Sequence, residues 1–187
     1  MPVLSVGDQS IGQSAAINFY VASECGLLGD STFEAASIIS VSEHLKEMIT
    51  AYRTVMPWGQ EPTPEAIEKW FDSGATDSVG TADRAGQPTR YLKWWAGRIE
   101  AALGSNGFAV GNRLSMADVL IYNVFAEQLK PEEVAADTPS WKMEPFYCKA
   151  KTDAVLATHP KIAASCAAVA SNENVQRWLS IRGVQGF

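Results

Sequence analysis

A chain of 187 residues with 47% hydrophobic and 19% charged side chains can bury a sizeable core, which argues against disorder and fits one medium domain or a small one joined to a larger. Its 15 basic against 21 acidic residues leave a formal charge of −6, so it lacks the electrostatic footprint of a nucleic-acid or anionic-membrane binder. No apolar run reaches the roughly 18 residues of a membrane span, and no basic stretch leading into an apolar core opens the chain, which makes the cytosol the default location.

At the start, Val3, Leu4 and Val6 are strand formers, Gly7 and Asp8 supply a turn, and Gln9 to Ile11 can return as a second strand. A β-hairpin is predicted. Ser14 can then cap a helix with Ala16, Ile17, Tyr20 and Val21 on one stripe and Gly26 just past its end. The polar pair Gln13-Ser14 is left at a helix N-terminus, where free amides and the helix dipole favour a carboxylate.

Leu27 to Asp30 is the expected linker, and Asp30 or Ser31 can cap the long helix that follows. Within Thr32 to Met56, residues Ala35, Ile38, Ile39, Leu45, Met48, Ile49 and Tyr52 recur at helical spacing, and Pro57 ends the run. Thr63-Pro64-Glu65 starts a short helix to about Phe71 that reads as an insertion, and Ser73 to Gly86 reads as a mobile loop. Helical period resumes at Thr89 with Leu92, Trp95, Ile99 and Leu103 on one stripe. Trp94 must point elsewhere, toward a neighbouring helix, a substrate wall or a dimer contact, with packing favoured.

The densest signal is Gly111-Asn112-Arg113-Leu114-Ser115-Met116-Ala117-Asp118. Ser115 and Asp118 can form a reciprocal capping box, and Leu114 with Val119 a hydrophobic staple, for a helix from Met116 to about Gln128. Lys130 to Glu144 is a proline-interrupted loop. Two or three helices are expected between Phe146 and Arg182, then a flexible tail from Gly183 to Phe187. Cys25, Cys148 and Cys166 form no C-x-x-C pair and read as free thiols; Cys166 sits in an alanine-rich helix, where core packing outranks reactivity. His44 and His159 have no metal-ligand partner at useful spacing.

On the hairpin, the Gln13-Ser14 pair and the Gly111–Asp118 motif, the chain resembles the cytosolic glutathione S-transferases. The implied fold is α+β and mostly α: residues 1–28 as part of a thioredoxin-like, glutathione-binding segment, residues 29–187 as the all-α C-terminal domain. The resemblance implies a transferase that joins the glutathione thiolate to hydrophobic electrophiles in detoxification, with glutathione as co-substrate and a homodimeric assembly. It places Gln13 and Ser14 on the γ-glutamyl carboxylate, Pro2 at the family's cis-proline, and Met1 at the position whose main chain pairs with the tripeptide. A complete member opens with a strand, a helix and a strand, and carries its thiol-activating Tyr, Ser or Cys at the end of the first strand. Here no residue is carried over as that catalytic group. Either a segment is missing, naturally or in the sequence as given, or the protein has moved from catalysis to binding a partner or hydrophobic ligand. In the family a C-terminal tail such as this one can cover the substrate site, although fraying in solvent is favoured here.

Overall fold

The computed structural model describes residues 2–73 and 90–185. Strands β1 (Val3–Val6) and β2 (Gln9–Gly12) pair antiparallel, with Val3 opposite Gly12 and Val6 opposite Gln9. The two-residue connection is Gly7-Asp8, and Gly7 takes φ +57°, the left-handed turn geometry that suits glycine. Helix α1 (Ser14–Glu24) follows. It closes with a Schellman motif: the Leu27 amide bonds Ala22 O at 2.7 Å and the Gly26 amide bonds Ser23 O at 3.2 Å, with Gly26 at φ +68°.

The stripe expected on α1 is only partly realised. Ile17 and Tyr20 are half-buried, but Ala16 and Val21 face solvent, and Ala22 is the residue the helix buries. A two-stranded hairpin covers too little of an eleven-residue helix to bury both of its apolar flanks.

The body is a helical bundle. Helix α2 (Thr32–Val55) is capped by the Ser31 hydroxyl, which accepts from the Glu34 amide at 3.1 Å, and it buries Ile38, Val41, Leu45, Met48 and Tyr52. That set corrects the stripe by one position, since Val41 turns inward and Ile39 is exposed. Helix α3 (Pro64–Asp72) has Thr63 as cap and Pro64 at its first position. The segment read as an insertion contributes to the core: Trp70 and Phe71 are buried, and Trp70 packs in the ring cluster of Tyr52, Phe146 and Phe125. Most of the Ser73–Gly86 loop, together with Thr89, lies outside the described residues.

Helix α4 (Leu92–Ala102) buries Leu92, Trp95 and Ile99, with Leu103 just beyond its end, as the spacing predicts. Helix α5 (Met116–Phe125) ends three residues earlier than expected and packs on α2 and α7. Residues 131–147 form short 3-10 turns rather than plain loop. Three helices then follow, α6 (Lys149–Thr158), α7 (Pro160–Ala170) and α8 (Glu173–Ile181). Glu100 on α4 supplies the cap that α7 lacks locally, accepting the Lys161 and Ile162 amides at 2.9 and 3.0 Å. His159 stands at the α6–α7 boundary, with Nδ1 2.8 Å from Val155 O.

The tail does not fray where it was expected to. Arg182 is a buried bidentate partner of Glu133, at 2.7 and 3.1 Å, and also meets Glu127; the Gln185 amide donates to Glu133 O at 2.6 Å. Gln185 is therefore joined to the 131–133 turn, Gly183 and Val184 before it are exposed, and 186–187 lie outside the described residues.

Candidate functional site

Two places in the chain combine sequence signal with unusual geometry. One is the closed end of the Gly111–Asp118 loop. The capping-box pairing of Ser115 and Asp118 is present, and Asp118, fully buried, accepts from the Ser115 amide at 2.9 Å and the Ser115 hydroxyl at 2.7 Å on one carboxylate oxygen. Its other oxygen accepts from the Ala109 amide and the Ser165 hydroxyl, each at 2.7 Å. The carboxylate thus ties the 104–111 loop, α5 and α7 to one point. Ser165 was invisible as a partner because nothing in an alanine-rich stretch says which hydroxyl will meet a residue 47 positions away. Val119 stays 37% exposed, so the staple expected with Leu114 leaves that side chain largely in solvent. Next to Asp118, the Cys166 thiol is pushed up to about 12 by burial and then by the carboxylate, which keeps it an unreactive core group.

The other place is the open end of the hairpin. Gln13, rather than Ser14, is the residue that precedes α1, and Ser14 is the first helical residue. Gln13 adopts φ 72°, ψ 126°, a region that a side chain with a Cβ enters only when its surroundings compel it. Its carbonyl accepts the Ile17 amide at 3.0 Å, which starts the helix and leaves the amides of Ser14, Ala15 and Ala16 with no intrahelical acceptor. The first turn contains no acidic side chain to neutralise the positive end of the dipole. Continuing the β1–β2 register one step past Val3 and Gly12 sets Pro2 opposite Gln13. Pro2, Gln13 and Ser14 are all exposed. Met1 lies outside the described residues.

Residues 81–182 match the family model described as the glutathione S-transferase C-terminal domain. The chain belongs to the glutathione S-transferase family. This family member aligns over its whole length with probable glutathione S-transferase 7 of Caenorhabditis elegans, at 24% identity and covering 76% of that relative. Probable glutathione S-transferase 6 of the same nematode is 29% identical over 126 residues, 65% of this chain and 53% of the relative. Among solved structures, a monomeric glutathione S-transferase of the hookworm Necator americanus superposes with a TM-score of 0.68 at 22% identity, and a Nu-class enzyme of Haemonchus contortus with 0.64 at 20%. Each covers all of this chain, which covers 76% of each. The mostly helical fold with its small two-stranded sheet is that of the glutathione S-transferases. Among the described residues, no helix is long and apolar enough to cross a membrane.

Proposed function

We propose that this family member works in glutathione chemistry, holding the γ-glutamyl carboxylate of the tripeptide at the hairpin edge and serving its conjugation to hydrophobic electrophiles in the cytosol. The observation that carries this reading is the backbone of Gln13: its unusual φ starts α1 so that the first three helical amides have no intrahelical acceptor, at an exposed helix end with no acidic side chain in its first turn. The Ser14 hydroxyl is a further polar group at this helix end, the family resemblance puts Gln13 beside the same carboxylate, and an anion is the ligand a helix N-terminus favours. Pro2 and the main chain of Met1 flank the same edge and would carry the contact to the peptide backbone.

Glutathione attacks as a thiolate, so turnover needs a group that lowers the thiol pKa. None of the residues assigned to this edge is such a group. These residues thus serve the binding half of that chemistry, and activation of the thiol falls to a group outside this edge. Calorimetric titration with glutathione, run beside a conjugation assay on an aryl halide, tests both halves. Binding is expected to weaken by about 1 to 3 kcal/mol in Gln13→Ala and in Ser14→Ala, the range for losing hydrogen bonds to a charged group. Rapid turnover by the chain alone would show that another residue activates the thiol, and unchanged affinity in both variants would remove the carboxylate site.

A further inference from the structure

We propose that Arg90, Arg98, Trp94 and His44 form a second ligand site, separate from the hairpin edge, that takes a phosphate or phosphomonoester group. Trp94 was expected to point away from the core stripe of α4, and it does so with a cation over it on each side in sequence. The Arg90 guanidinium carbon lies 4.0 Å from its ring centroid and that of Arg98 lies 5.4 Å away. Trp94 is itself fixed edge-on against buried Trp95, at 4.7 Å and 89°. Two like charges are thus held on one rigid ring.

Neither guanidinium has a carboxylate partner among the described residues, whereas Arg113 is paired with Asp30 and Arg182 with Glu127 and Glu133. Two guanidiniums brought to one ring repel each other, and an anion beside them offsets that repulsion. His44 sets the aim of Arg98: the Arg98 Nε–H donates to His44 Nε2 at 3.0 Å, which leaves the two terminal nitrogens of the fork for a ligand. His44 Nδ1 is buried with no hydrogen-bond partner among the described residues. His44, Trp94 and Arg98, with Ala101 and Ala102, line an open cleft of about 530 Å³, and Arg90 stacks on the Trp94 ring without lining it. The small side chains of Ala101 and Ala102 keep it accessible.

One element opposes an anion here. The C-terminal end of α4 lies at Ala101–Ala102 and presents about half a negative charge. Two full cations outweigh it. The compact dianion of a phosphate group fits better than a singly charged carboxylate, because it offers oxygens to both forks and offsets both charges.

The test is calorimetry on the full chain with inorganic phosphate and with phenyl phosphate, against chloride at matched ionic strength. Saturable binding at a single site is expected, weakened at least about tenfold in Arg98→Gln and in Arg90→Gln, with Arg98→Lys intermediate because it keeps charge and loses the fork. Arg177→Gln, an exposed arginine on another helix, is expected to bind as the unaltered protein does. Tighter binding of phenyl phosphate supports an organic phosphomonoester as the occupant, and equal binding supports the free ion. Heat no greater than that of chloride, or an equal loss in Arg98→Gln and Arg177→Gln, would overturn the proposal.

Discussion

At Asp118 four neutral donors converge on one buried carboxylate, and each loses its acceptor if the side chain is cut back. The structure turns an ordinary capping preference into a central tie, so Asp118→Ala is expected to cost about 3 kcal/mol or more, beyond the range of an exposed cap. For a chain of this size that lowers Tm by roughly 6 to 12 °C, and an unchanged melting curve would refute the assignment. Gln13 behaves in the opposite sense. Glycine adopts φ 72° freely, so Gln13→Gly is expected to stabilise the fold by about 1 kcal/mol while it weakens glutathione binding. Paired denaturation and titration curves check this split; a residue that is merely structural would lose stability and leave binding untouched.

At the scale of elements, helix α8 is the one whose attachment is least like core packing. It contains no buried residue, and Trp178 and Ile181 are exposed, yet Arg182 at its end is locked to Glu133. Arg182→Ala strands a buried carboxylate and is expected to cost about 3 kcal/mol, read as faster amide exchange across α8 before the rest of the bundle. The Arg182 guanidinium, helped by the Lys130 amide, holds the Glu133 carboxyl down to about 2. A depressed carboxyl stabilises the fold above the ordinary carboxylate range, and that contribution is lost as pH falls through the range toward 2. Acid titration of unaltered protein should show this loss, and Glu133→Gln should flatten it. None of this was legible in the sequence, because Arg182 and Glu133 are 49 positions apart, one at the end of a stretch read as helical and the other in a stretch read as loop. What was legible shares a common cause: the hairpin turn, the Ser31 and Thr63 caps, the Schellman glycine and the Ser115–Asp118 box are all set by residues within a few positions of one another. The same reasoning located Gln13-Ser14 but not which of the two would be the cap, since that depends on where β2 releases the chain.

For the whole molecule, the apolar groups left outside are concentrated toward the N-terminal part. Val3 and Phe33 are 63% and 82% exposed, and Val6, Phe19 and Val21 are exposed beside the free edges of a two-stranded sheet. Such a surface is expected to recruit a second copy of the chain, so light scattering should report a mass above that of one chain at high concentration. A clean monomer that binds no hydrophobic dye would contradict this. The join between this part and the bundle has a property of its own. The Leu27 carbonyl accepts the Met116 amide at 2.9 Å, the Gly29 carbonyl accepts from Arg113 at 3.1 Å, and Gly29 and Gly111 leave room for the Glu34 side chain. On the side that comes from the N-terminal part these two bonds are made by main-chain atoms, while the side chains of Ala22, Leu27 and Leu28 pack against the core. Exposed positions before residue 27 can therefore drift without touching those two bonds, whereas Ala22, sealed into the core, is held to a small apolar side chain.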